Sequence, residues 1–332
     1  MSGPNRLALL VAIDTEGDNQ WDVRARFDQT FHNIHALGRL HEFFARHGVR
    51  PTYVVTFPVV KDGRSVETLR TLRAGGDCEI GAHHHAWETP PCTRDDIRRH
   101  PYALSLPLTQ FDAQLASLTA AIQDAIGVRP VSYRSGRFGF SAAHVSSLER
   151  QGYLIESSVA PLFYEAHKAG PDFVDAPLEP YFLSYDAETR PGSSNLLELP
   201  ISAALNRRVP AWAQRCYARA PRPYTTKRIL RWFRIADVRW LRPSYSSAAD
   251  MIALARDLAR RGVSLLNIVF HSSEAIVGGS PYNRTAGELD AFFDRLGQLL
   301  TYAVRDLGAV PMTFAEFRQS YLDQGRSAAR QI

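Results

Sequence analysis

Three observations predict an α/β protein built on a largely parallel sheet. Short apolar or β-branched runs recur along the chain, helical periodicity fills many of the gaps between them, and glycines stand near the ends of those gaps. The runs fall at residues 7–13, 51–57, 79–82, 131–133, 154–157, 196–200, 264–271 and 309–313. Between them, Phe31, Ile34, Phe43 and Phe44 line one candidate helix closed by Gly48. Phe111, Leu115, Leu118, Ile122 and Ile126 step by threes and fours toward Gly127. Segments 252–261 and 288–304 follow the same pattern, ending near Gly262 and Gly308. With about seven or eight such units and no glycine-rich dinucleotide fingerprint after the first run, a closed or nearly closed α/β barrel is expected in place of a doubly wound open sheet.

Residues 1–332 are read as one domain, with a break in the rhythm at about 160–247. That stretch is rich in proline, arginine and aromatics: Trp212, Trp232 and Trp240 stand among Arg215, Arg219, Arg222, Lys227, Arg228, Arg231, Arg234, Arg239 and Arg242. It is expected to be an insertion or lid. Such a mixture suits sugar stacking, phosphate contacts or an anionic membrane surface, and equally a solvated helix that snorkels over the core. The solvated reading is the default.

Composition narrows the class. The 332 residues are 45% hydrophobic and 11% aromatic, which excludes a disordered or collagen-like chain. Thirty-nine Lys and Arg against 34 Asp and Glu leave a surplus of five, too slight to indicate nucleic-acid binding. Cys78, Cys92 and Cys216 lack metal-site spacing and form no even set, so neither a disulfide framework nor a zinc ribbon is expected. The first apolar run is cut off by Asp14, Glu16 and Asp18 with no cleavage pattern behind it, and reads as a strand and not a signal peptide. No stretch approaches the roughly 18 apolar residues of a membrane span. A cytoplasmic chain is therefore expected, meeting any glycan on the cytosolic side.

Four clusters carry candidate chemistry. Side chains alternate along a strand, so Asp14 and Glu16 should project to one side at the C-terminal edge of the first strand, the catalytic edge of a parallel barrel. Alone, these acids could equally end a strand and open a loop. The sequence Glu79-Ile80-Gly81-Ala82-His83-His84-His85-Ala86-Trp87 runs an apolar strand into three histidines. His83 and His85 can face one way, making a His/His/carboxylate site for an ion such as zinc, while His84 is a bystander or an outer-shell partner. Arg134 follows a short strand and precedes glycines that let backbone approach a ligand, where it could hold a carboxylate ionised or be an ordinary surface arginine. His271 ends the apolar run Ile268-Val269-Phe270 beside Ser272, Ser273 and Glu274, a place that suits a general acid or base better than a core histidine.

In order and spacing these blocks resemble the polysaccharide deacetylase (NodB-homology) family over roughly residues 7–315, in a divergent subgroup with a His-x-His-x-Trp second block. The resemblance implies a distorted (β/α)7-8 barrel and metal-dependent hydrolysis of N- or O-acetyl groups on a saccharide or glycan precursor, with zinc the usual ion. It makes Asp14 the general base, Glu16 the counterpart of the metal-binding aspartate and His83 the first metal histidine. The usual second histidine would lie where this chain has Trp87, and His85 is expected in its place. Arg134 would orient the base and His271 act as general acid. Glu156 is the nearest match to the acid that normally supports that histidine. A backbone N–H near Phe138 or Gly139 is expected to help hold the oxyanion. Contact of the basic stretch with a membrane surface is a further expectation. Two other readings stay open: hydrolysis of another linear C–N amide, and non-catalytic glycan binding through Trp87, Trp212 and the arginines.

Overall fold

The computed structural model describes residues 6–220 and 237–329. Arg222, Lys227, Arg228, Arg231, Trp232 and Arg234 of the basic stretch lie outside the described residues. Eight strands occupy the runs read from sequence: β1 (Ala8–Thr15), β2 (Thr52–Val55), β3 (Glu79–His84), β4 (Ser132–Ser135), β5 (Ile155–Glu156), β7 (Leu197–Glu198), β10 (Leu265–His271) and β11 (Val310–Pro311). The others, β6 (Tyr181–Phe182), β8 (Ala203–Leu205) and β9 (Val238–Trp240), come from the irregular stretch. The main sheet runs β10-β1-β2-β3-β4-β5-β7-β6, with β11 added to β1, and is parallel except for the last pair.

Alternation along β1 sorts its side chains between two surroundings. Leu9, Val11 and Ile13 join the large core with the helices Leu37–Arg46, Leu108–Ile126 and Ala286–Thr301. Ala8, Leu10 and Ala12 face a second cluster with Ile155, Leu197 and Leu265, into which Phe314 and Phe317 of the helix Phe314–Ala329 pack. Asp14 is next in that second series, so the polar site is laid on top of a dry plug. The helices end where the sequence placed their stops. Gly127 closes Leu108–Ile126 at φ 75°, the left-handed conformation that favours glycine. Thr285 and Glu288 form a capping box at the start of Ala286–Thr301. The single helix expected around Phe31–Phe44 is two, His32–His35 and Leu37–Arg46, meeting at Ala36.

The expectation of a closed or nearly closed barrel needs correction. The strand ladder is open: β10 and β6 are its ends and do not pair. Strands β5, β6 and β7 are two residues each, too short to continue the ladder around. The gap is crossed instead by irregular backbone, with Ser202 N donating to Asn267 O (3.2 Å) and Val269 N to Leu241 O (3.2 Å). The fold is a mixed α/β curl, with its polar cleft at the C-terminal ends of β1, β3 and β10.

Candidate active site

Strand register brings the sequence-distant residues together. Asp14 on β1 is the lateral partner of His271 on β10, and His83 on β3 that of Arg134 on β4. Asp14, Glu16, His83, His85 and His271 line one cleft of about 340 Å³, and Arg134 lies behind Asp14, fully buried.

Arg134 is spent completely inside the protein. Its Nη1 donates to Asp14 Oδ1 (2.7 Å), its Nε to Ser157 O (2.7 Å) and its Nη2 to Ser157 Oγ (3.0 Å). Burial alone would raise the Asp14 carboxyl. The Arg134 guanidinium, helped by His83 and His271, outweighs it and holds Asp14 well below the usual carboxylate range. Asp14 is thus an ionised acid whose second oxygen, Oδ2, lies 3.8 Å from His271 Nε2.

Glu16, His83 and His85 form a buried cluster whose ligand atoms all lie within 4.8 Å of one another, within reach of a common metal ion. Glu16 Oε2 is 2.9 Å from His85 Nε2 and 3.7 Å from His83 Nε2. The donor chemistry fits a divalent ion of the zinc type. His83 Nδ1 faces the Arg134 carbonyl at 3.1 Å, which fixes the proton on Nδ1 and turns the Nε2 lone pair toward Glu16. Burial, only partly offset by Asp14, lowers the His83 pKa to about 4, and burial pushes His85 well below its ordinary value. Both rings are therefore neutral near pH 7, the form that binds metal. Glu16 moves the other way: burial raises its carboxyl, against the pull of His271 and His83. A bound cation would reverse that shift by supplying the missing positive charge.

Gly136 makes room for this cluster. A Cβ there would meet His85 Nδ1 at 2.2 Å, so the glycine admits the imidazole and not, as expected from sequence, a ligand. Gly139 also departs from expectation, because its N–H is spent on Gly136 O (3.0 Å) and is not free for an oxyanion. His84 points away, into the core. Its Nε2 meets Gln114 Oε1 at 2.8 Å and its Nδ1 the Tyr133 hydroxyl at 3.2 Å, so it supports the helix Leu108–Ile126 and not the Glu16–His83–His85 cluster.

Asp18 is excluded from the cluster by its own partners: it accepts from Thr30 Oγ1, from the backbone of His32 and Asn33, and from Asn33 Nδ2. Glu156 does not support His271 and is corrected here. It sits beside Glu198 across the β5–β7 pair, both fully buried. The acid that holds His271 is Glu274, three residues on, whose Oε1 lies 2.7 Å from His271 Nδ1 and accepts from Arg242 Nη2 at 2.6 Å. Burial opposes a charge on His271, but Glu16 and the Glu274 hydrogen bond raise its pKa above the ordinary histidine value. Sequence reading had Glu274 in view without a role. Arg242 was visible only as one arginine of the basic stretch, since it reaches the site where Leu241 crosses to Val269 of β10.

The cleft walls are aromatic and basic. Trp21 packs edge-on against His271 (4.9 Å), Trp87 lies tilted on His85 (4.3 Å), and Trp240 stacks on Phe138. Trp212, by contrast, is 68% exposed, away from the cleft lining. Arg215 and Arg219 pair at the surface with Asp175 and Asp172, as the solvated reading of the stretch expects.

No family model matches the chain, and no curated protein matches it. Solved structures do. One is a Mycobacterium smegmatis protein designated a polysaccharide deacetylase, 17% identical, with 95% of this chain and 96% of that chain covered at a TM-score of 0.50. Another is a GH57-type branching enzyme from Pyrococcus horikoshii, 12% identical, with 97% and 71% covered at 0.52. At these identities the likeness is one of fold, and it is shared by two different chemistries. Among the described residues no helix is long and apolar enough to cross a membrane.

Proposed function

We propose that the chain is a metal-dependent hydrolase that removes an acetyl group, N- or O-linked, from a carbohydrate or glycan precursor. The observation that carries this reading is the buried Glu16–His83–His85 cluster standing beside an arginine-held aspartate and a glutamate-held histidine in one cleft. Glu16, His83 and His85 would hold a divalent metal, zinc by their donor set, and when bound it supplies a Lewis acid for the acyl carbonyl and for water.

The remaining steps belong to the chain's own groups. Asp14, kept ionised by Arg134, accepts the proton of the attacking water. His271 faces Asp14 and Glu16 through Nε2, at 3.8 and 3.6 Å, while Glu274 fixes the proton on Nδ1. A raised pKa suits His271 to give a proton to the departing nitrogen or oxygen. Trp21 and Trp87 wall the cleft beside these groups and suit the faces of a sugar ring. The fold likeness to a deacetylase agrees with this chemistry, and the equal likeness to a branching enzyme makes the cluster, not the fold, the deciding feature.

The test pairs elemental analysis of the purified protein with acetate release from a panel of N- and O-acetylated saccharides. Zinc-loaded protein should release acetate and chelated protein should not. Undiminished activity in protein free of metal, or release of reducing ends without acetate, would overturn the reading.

A further inference from the structure

We propose that Arg26 and Arg137 form an oxyanion-binding subsite in the cleft, so that the substrate carries a phosphate or carboxylate near its reacting group. This deepens the deacetylase reading of the same cleft and rests on it for the reacting group alone.

The charges lining the cleft are nearly all spoken for. Asp14 is paired with Arg134 (2.7 Å), Lys168 with Glu165 (3.0 Å) and Arg242 with Glu274 (2.6 Å), while Glu16 is engaged with His85 (2.9 Å). Arg26 and Arg137 remain. Both line the cleft beside one indole: their guanidinium carbons lie 5.8 and 4.6 Å from the Trp87 ring, which itself packs on His85. Their hydrogen bonds among the described residues go to neutral carbonyls, Arg26 Nε to Gln20 O (2.6 Å) and Arg137 Nη1 to Pro101 O (3.2 Å). Neither has a carboxylate within 4 Å there. Of the acids whose charge Arg26 feels, Glu16 is engaged with His85 at 2.9 Å, Glu88 with Gln29 Nε2 at 2.7 Å and Asp22 with the Arg24 N–H at 2.9 Å.

Two partly buried guanidinium groups beside one ring repel each other and have lost water, a costly arrangement unless an anion joins them. Burial and the Arg26 charge both push the Arg137 pKa down, in keeping with that cost. The backbone also gives up favourable geometry here, since Arg137 and Phe138 are consecutive non-glycine residues at φ 53° and 59°. The planar, multi-donor guanidinium matches phosphate and carboxylate oxygens.

Calorimetric titration of the zinc-loaded full chain with glucose 1-phosphate, glucuronate and glucose tests this, because none of the three has an acetyl group to lose. At least one anionic sugar should bind about tenfold or more tighter than glucose, the size of a charged hydrogen-bond contribution. The arm that wins names phosphate or carboxylate as the group. Arg26→Gln and Arg137→Gln should each remove most of the preference and leave glucose binding unchanged, with Arg137→Lys retaining part of it. Equal binding of all three sugars, or a preference that survives both Gln variants, overturns the proposal. If the variants do not fold by circular dichroism, competition decides: inorganic phosphate must displace the anionic sugar, and failure to do so counts against the subsite. Anion preference without acetate release from the saccharide panel would sink the deacetylase reading and spare the subsite. Acetate release without the preference would do the reverse.

Discussion

Two pairs of buried acids flank the same arginine and behave differently. Asp14 and Glu16 stand at the cleft end of β1, where Arg134, three imidazoles and an opening to solvent surround them. Glu156 and Glu198 face each other across β5 and β7, held by the Ser158 and Val159 backbone, with no cation within ion-pair distance among the described residues. Burial raises both members of this inner pair above the usual carboxylate range; mutual repulsion adds to the rise at Glu198, and the field of Arg134 only moderates it. Burial of an acid is therefore not what marks the candidate site. What separates the two pairs is compensating charge and access.

The contrast can be broken first at Asp14. Asp14→Asn should cut acetate release by about 10²–10⁴-fold, the range of a general base. It should also lower the denaturant midpoint, because Arg134 is left as a buried guanidinium with Ser157 alone, and breaking a buried pair costs about 3–5 kcal/mol. An Asp14→Asn protein as active or as stable as the parent would refute the assigned role of this pair.

Next come the histidines, whose directions alternate. His83→Ala and His85→Ala should abolish bound zinc by elemental analysis, whereas His84→Ala should keep the metal and lose about 1–3 kcal/mol of stability through the orphaned Gln114 and Tyr133 groups. Gly136→Ala should weaken zinc binding with every ligand still present, by displacing His85.

Glu274→Gln is expected to be milder, lowering kcat by about tenfold through loss of a charge-assisted bond to His271, with bound zinc unchanged. Loss of zinc in this variant would place Glu274 with the metal instead.

The smallest effect on activity belongs to the inner pair. Glu198→Gln should leave acetate release within about twofold, yet alter stability with pH. A carboxyl with a raised folded pKa keeps its proton in the native state after the unfolded chain releases it at about pH 4.3. Its stabilising contribution is whole below that pH and is lost as pH rises toward the folded value. Denaturant midpoints of parent and variant should thus lie close near pH 4 and separate as pH rises, with the variant the more stable. Parallel curves would mean the inner pair is ionised after all.

Much of this was legible in the chain itself, for local reasons. Strand alternation put Asp14 with Glu16 and His83 with His85, because the period of two is a property of the extended backbone. Helix stops at Gly127 and Gly262 follow from the left-handed φ those positions take, 75° and 80°. The supporting residues were less visible. Glu156 was expected to support His271 only as the nearest match to an acid that the family resemblance implies, and such a match cannot tell which wall of the sheet it will face across.

Sequence by itself determined the alternation of elements, the acid, imidazole and guanidinium types at the strand ends, and the overall α/β class, since each depends on residues a few positions apart. Only the tertiary structure decided that the strand ladder stays open, that Arg242 reaches Glu274 beside His271, and that Arg26 and Arg137 both come beside Trp87. Those outcomes join segments from about 30 to more than 100 residues apart, where the energy lies in charge compensation and packing between surfaces that no local pattern encodes.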